Sequence, residues 1–506
     1  MKDWTVIMYF AGNNNLREEM LFAVKEMFRV GPIKNVDVVV LFNANGRFRQ
    51  FTLSTDADAP KISSPNGLDF DLGDKQHLLK NQTTRSEQLK ATDLVQRDIV
   101  TPFICRTIKK HRAQHYMLVL SGHGTGAIGD FLANERPMDH MTVPGMADML
   151  KAVQKDVDKF DKFDILGLDS CLMSMAEVAC EVAPFVHYMV ANEGFDPATG
   201  WNYGAVLDLM KKTNWLGKPR ELAEELLKTY IEYYSDYAYV VDTSVDQSVL
   251  DLTPDKVDGF KKTVSTLAGA MRTGLETPAI LNAIVLAHWK AQTYKWEQYT
   301  DLWDFCDILY KNLAGIENAD DIKSSCDELK RIIDGTIPND ESKIDENRLV
   351  VFSGWAGPAY QHSHGVSVFF PWARIRDWDG TFDIDRYAKQ EPTKLRFAEN
   401  NNWDQFLARY LDATLKPVRE KGAIGPDIKS DFDRRSGIYG IRAGLPDDEK
   451  ATLSANTRAG LPDDEKAGLP DDEKGALAAN ITAKLPHMQN LSAEWRRAIL
   501  ARPGKP

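Results

Sequence analysis

The sequence predicts an α/β fold, a mainly parallel sheet flanked by helices, on two observations. Short continuous apolar runs recur along its N-terminal part, and longer amphipathic segments separate them. A strand apolar on both sides belongs to a sheet covered on both faces, and such sheets are built from parallel strands joined by helices. The first run, "WTVIMYF" from Trp4 to Phe10, is a strand. It is too short for a secretory h-region, lacks a small-residue cleavage site, and ends in an asparagine cluster. A cytoplasmic location is the expectation that follows. "LREEMLFAVKEMFRV" is the first helix, "VDVVVLF" the second strand, a region from about Asp93 to Arg112 a helix, and "HYMLVL" the third strand. "MTVPGMADMLKAVQKDVDKF" then reads as a helix and "FDILGL" as a strand, followed by a helical run to Ala183 and a buried strand in "HYMVAN".

From Leu216 to Leu313 the pattern is mostly helical, broken by "QSVLDLT", before "NRLVVFSGW" and "HGVSVFFPW" return to strand-like runs. The amphipathic "LRFAENNNWDQFLARYL" closes this stretch at Leu411. We therefore expect a parallel-sheet core over residues 1–215, an accessory mixed lobe over 216–415 that completes the body, and an extension over 416–506. In that extension "GLPDDEK" occurs three times with irregular spacers. The unit is far shorter than solenoid repeats, so it reads as a solvated acidic spacer or tail.

Composition narrows the function. The net charge of -12 provides no basic footprint for nucleic acid, and no stretch approaches the roughly 18 apolar residues of a membrane span. Five cysteines without a CxxC pair indicate neither a zinc site nor a disulfide framework. Two of the strand ends carry chemistry. "HYMLVLSGHGTG" runs from a strand into His123, and "FDILGLDSC" runs from another into Cys171. Parallel strands share one carboxyl edge, where open α/β sheets bind ligands, so the two side chains can converge as a thiol and its base. Gly122 and Gly124 permit close approach and positive φ, and the amides of Gly124 and Cys171 can face a developing oxyanion. Cys171 also opens the run "LMSMAEVACEV", where a helix dipole would favour a thiolate. Asp169, two residues before the cysteine, and Glu193 and Asp196, after "HYMVAN", are candidates to bind a cationic substrate group. The alternative for His123 and Cys171 is a structural pair, and for Glu193 and Asp196 a surface loop.

"WTVIMYFAGNNNL", "LVLSGHGTG", "LGLDSCLMSMAEVA", "MVANEGFDPATGWNY" and "HGVSVFFPW" together resemble, in order and context, the clostripain family of cysteine peptidases. The resemblance covers roughly Trp4 to Leu411. It implies a caspase-like fold, a catalytic dyad of His123 and Cys171, and cleavage of peptide or protein substrates after Arg or Lys. It also implies an acid of the primary specificity pocket at Asp169. Calcium dependence occurs in some relatives, but no EF-hand loop is present here and the sequence requires no cofactor. Relatives are often matured by self-cleavage between the catalytic His and Cys, and Arg136 is the corresponding basic residue ahead of Lys151. Where the family usually has "ADNNL", this chain has Asn13, Asn14 and Asn15, leaving the role of that acid open. A thiol-dependent peptide ligase or transferase, and an inactive protein that binds basic peptides, are the other function classes these residues allow.

Overall fold

In the computed structural model of the 506-residue chain, the described residues are 1–44, 47–55, 99–135, 138–212, 215, 217–238, 244–294, 298–337, 343–372, 384, 387, 395–399 and 401–420. Arg136 and the three GLPDDEK repeats lie outside them. The chain runs β1 (Lys2–Ala11), α1 (Arg17–Val30), β2 (Val36–Ala44), β3 (Arg47–Leu53), α2 (Thr101–Lys110), β4 (Ala113–Ser121), a hairpin of β5 (Phe131–Glu135) and β6 (Met138–Met141), and α3 (Val143–Asp156). It continues through β7 (Phe163–Asp169), α4 (Ala176–Val182), β8 (Val186–Ala191), α5 (Tyr203–Lys211), α6 (Pro219–Ala238), β9 (Val245–Asp251), α7 (Pro254–Gly274) and α8 (Pro278–Lys290). The last elements are β10 (Thr293–Tyr294), β11 (Tyr299–Asp301), α9 (Leu302–Asn312), α10 (Asp320–Asp334), β12 (Val350–Ala356), β13 (Ser367–Phe369) and α11 (Trp403–Glu420).

Eight strands form the central sheet in the order β12-β9-β8-β7-β4-β1-β2-β3. The block from β8 to β2 is parallel, and β3, β9 and β12 add antiparallel edges. Alternation along β1 shows why its run from Val6 to Ala11 carries no charged residue. Val6, Met8 and Phe10 pack in one core with residues of α1, α5 and α6, while Ile7, Tyr9 and Ala11 pack in the other with α2, α3, α4 and α7. Each of the Val, Ile, Met and Phe side chains among them contributes about 1.5–3 kcal/mol by leaving water. Helix α1 buries Met20, Leu21, Ala23, Val24 and Met27, one face at three- and four-residue spacing, and ends at Gly31 with φ 76°.

The region expected as an accessory lobe is continuous with the core, because β9 and β12 hydrogen-bond into the central sheet and α7 to α11 share its second hydrophobic cluster. One compact unit spans Met1–Glu420. Helix α11 is anchored by Trp403 Nε1, which donates to the Phe369 carbonyl at 2.9 Å, and by Tyr410 Oη, which donates to His288 Nδ1 at 3.0 Å. Burial pushes His288 down to about 3, so it stays neutral while its Nε2 donates to the Phe370 carbonyl. No described helix is long and apolar enough to cross a membrane.

Candidate active site

Strand register brings the two sequence motifs to one place. In the parallel β4–β7 pair Ser121 lies opposite Asp169, so His123 and Cys171 each leave the same sheet edge two residues beyond a paired position. The two exits are tied together. The Gly122 N–H donates to the Asp169 carbonyl at 3.2 Å, and Ser170 Oγ donates to the Gly122 carbonyl at 2.6 Å. A Cβ on Gly124 would sit 2.4 Å from the Cys171 carbonyl oxygen, so only glycine lets the histidine loop pass the cysteine turn. Neither Gly122 nor Gly124 takes the positive φ that the sequence allowed; close packing is their reason. Gly124 bridges Phe131, but the bonds of that bridge run from Leu132 N–H to the His123 carbonyl and from Thr125 N–H to the Asp130 carbonyl. The Gly124 amide therefore points away from β5.

The surroundings of Cys171 correct one expectation. The helix begins at Ala176, not at the cysteine, because the intervening residues are drawn into other pairings. Leu172 N–H donates to the Gly194 carbonyl at 2.9 Å, Ser174 N–H to the Asn192 carbonyl at 2.8 Å, and Met175 bridges Ser367. Leu172 takes φ 64°, a conformation that costs a non-glycine residue energy and turns the chain sharply after the cysteine. No helix terminus therefore lowers the thiol. Burial, and next the charge of Asp196, push it up to about 12. The thiol is neutral in the free protein. Its sulfur accepts a hydrogen bond from the Asp196 N–H at 3.2 Å and donates to the Asp196 carbonyl at 3.6 Å.

His123, Cys171, Asp169 and Asp196 line one cavity of about 190 Å³. Its floor is acidic. Asp169 is buried and accepts from Ser121 Oγ at 2.7 Å, Tyr203 Oη at 2.6 Å and Trp201 N–H at 3.1 Å. Asp196 accepts from Tyr230 Oη at 2.7 Å, while its Oδ2 is buried without a protein partner. Burial raises both carboxyls above the usual carboxylate range, Asp196 further because Asp169 repels its charge. Burial likewise raises Tyr203 and Tyr230, so both remain hydroxyl donors.

Glu193 is not part of this cavity, contrary to the sequence expectation. Its Oε2 accepts from the Gly365 N–H at 2.7 Å, and burial plus the charges of Asp301 and Asp246 raise it well above normal. Its backbone has a role instead. Asp246 on β9 accepts from the N–H groups of Glu193 and Gly194, both at 2.8 Å, and Tyr360 Oη accepts from the Phe195 N–H at 2.9 Å. These contacts hold the loop that delivers the Asp196 amide to the sulfur. Sequence reading also missed Asn15, whose Oδ1 lies 2.6 Å from His123 Nε2, and the two tyrosines of the floor. For Tyr230 the available signal was its four-residue spacing from Tyr234 on α6, two hydroxyl tips on one helix face. Lys151 and Lys155 lie in α3, as their pattern predicted. Among the described residues no group of three or more His, Cys, Asp or Glu side chains is arranged to hold a metal ion.

The chain is 20% identical over 477 residues to clostripain from Hathewaya histolytica, covering 81% of this chain and 87% of the relative. Similar solved structures include a secreted C11 cysteine protease from Bacteroides thetaiotaomicron bound to an irreversible peptide inhibitor. It has 15% identity and TM-score 0.49, with 79% of this chain and 99% of that one covered. Another is an inactive zymogen C11 protease from Parabacteroides distasonis, with 18% identity, TM-score 0.44 and coverage of 73% and 92%. The clostripain family model matches residues 8–410, most of the chain and all of the cavity described above, and the chain belongs to the clostripain family and is a cysteine peptidase.

Proposed function

We propose that the chain is an endopeptidase that cleaves after Arg or Lys through a Cys171/His123 dyad and an acyl-enzyme. The observation that carries the specificity is the pair of buried carboxylates, Asp169 and Asp196, in the cavity that also holds the thiol. A guanidinium or ammonium reaching this floor meets Asp196 Oδ2, which has no protein partner, and gains charge-assisted bonds inside a desolvated site. An uncharged side chain would leave both acids without a counterion.

The chemistry follows from the same residues. The substrate cation offsets the Asp196 charge that helps hold the thiol neutral. His123 takes the thiol proton, and the sulfur attacks the scissile carbonyl carbon. The Gly124 and Cys171 amides are the proposed donors to the resulting oxyanion. His123 then gives its proton to the leaving amine, the C–N bond breaks, and a thioester remains. Water, deprotonated by His123, attacks the thioester and releases the new carboxylate and the thiol. The intact chain is active in this reading, any maturation cut would fall after Arg136, and calcium, suggested by the resemblance, is given no step.

The test is turnover of a fluorogenic peptide panel by wild type, Cys171→Ala and His123→Ala. Each variant is expected to lose hydrolysis of Arg and Lys substrates while keeping the wild-type melting temperature. Wild-type turnover by either would refute the dyad. Mass analysis of products with and without an added amine reports the acceptor, and a dominant amine adduct would replace the hydrolase reading with a transferase.

A further inference from the structure

The triple asparagine after β1 has a place in this site. Asn14 fixes the loop: its Nδ2 donates to the carbonyls of Ala11 at 3.0 Å and Ala133 at 2.7 Å, and its Oδ1 accepts from the Leu16 N–H at 2.9 Å. Gly12 closes the loop onto the sheet, donating to the Asn43 carbonyl at 2.9 Å where a Cβ would lie 2.5 Å from the Phe42 ring. The next residue, Asn15, is held at the cavity rim with its side-chain oxygen 2.6 Å from His123 Nε2. β1 lies beside β4 with Phe10 opposite Ser121, so three adjacent strand ends deliver Asn15, His123 and Cys171 to one cavity.

We infer that Asn15 is a positioning residue for the peptidase reaction, holding His123 with Nε2 protonated so that Nδ1 acts as the base toward Cys171. An amide oxygen accepts and cannot donate, so the contact selects one of the two neutral tautomers and fixes the ring plane. A neutral asparagine does so without adding a further negative charge to a site where Asp169, Asp196 and Glu19 already line the cavity. This rests on the dyad proposed above.

The experiment measures kcat, KM and the pH profile of kcat/KM for an Arg substrate with wild type, Asn15→Ala, Asn15→Asp and Cys171→Ala. Asn15 is exposed and Asn14 holds the loop, so Asn15→Ala should melt as wild type does. Its kcat should fall about 10- to 100-fold with KM unchanged, the scale by which removing the partner that orients a metal-bound histidine lowers activity. Asn15→Asp keeps the acceptor and should restore most of kcat, while its carboxylate raises His123 and moves the acid limb of the profile to higher pH. An Asn15→Ala kcat within twofold of wild type would overturn the inference. So would an Asn15→Asp variant as slow as Asn15→Ala with an unmoved acid limb. If Cys171→Ala itself retained activity, the dyad would be what failed.

Discussion

Replacing Asp169 by Asn separates the specificity role of the acid floor from its structural one. The substitution preserves shape and removes a charge. The remaining oxygen can still accept from the Trp201 N–H, now at 3.1 Å, but the new NH₂ group meets the hydroxyls of Ser121 and Tyr203, now donors at 2.7 and 2.6 Å. Both hydroxyls must turn to accept, and a buried donor left unpaired would cost about 1–3 kcal/mol of stability. The functional loss is larger and selective. Truncating one partner of a buried charge pair costs about 2–5 kcal/mol, or about 30- to 5,000-fold. Because Asp196 remains, Asp169→Asn should lower kcat/KM for Arg and Lys substrates by about 30- to 300-fold, in the lower part of that range. A citrulline or alanine substrate should change less than about threefold, since it pairs with neither acid. The assay is kcat/KM over a peptide series differing only at the residue before the scissile bond, with the melting temperature recorded for each protein. Asp196→Asn combined with Asp169→Asn should be non-additive, because the two carboxyls line one cavity and repel each other's charge. Equal losses for arginine, citrulline and alanine substrates would refute the reasoning and make Asp169 a residue of the fold.

Three further outcomes can be checked. Because burial raises Asp169 and Asp196, the floor stays protonated to higher pH than an ordinary carboxylate, so KM for Arg substrates should fall as pH rises through those raised values. KM for citrulline substrates should stay flat, and parallel profiles would contradict the pairing. Asp246→Ala removes the acceptor of the Glu193 and Gly194 amides and should lower kcat/KM alike for Arg and citrulline substrates; an Arg-selective loss in the same assay would count against the loop argument. Glu177 is pushed by burial from 4.5 to about 7, so between those values the folded state holds a proton that the unfolded state has released. The stability it contributes is therefore greatest below pH 4.5 and declines through about pH 7, by up to about 3 kcal/mol. Glu177→Gln keeps an acceptor for the Phe369 N–H and the Tyr387 hydroxyl, each at 2.9 Å, and should raise the melting temperature at pH 8 but not at pH 4.5; thermal melts across this range decide it.

The sequence by itself determined the parallel α/β core, since runs such as "VDVVVLF" are apolar at every position except one and must be covered on both faces. It also determined that His123 and Cys171 leave strand ends, because each motif follows a buried run directly. Tertiary structure decided the rest. Adjacency of β4 and β7, with Ser121 opposite Asp169, is a register between distant segments and leaves no local pattern. The delay of α4 to Ala176 comes from bonds to Gly194, Asn192 and Ser367, so a helical pattern that looked continuous from the cysteine was overridden by partners outside it. Asp196 and Glu193 are three residues apart and chemically alike, yet one acid lines the cavity and the other bonds to the Gly365 amide. Asn15 shows the same limit. Its neighbours read as a polar turn, and its contact with His123 exists only because the sheet sets the end of β1 beside the end of β4.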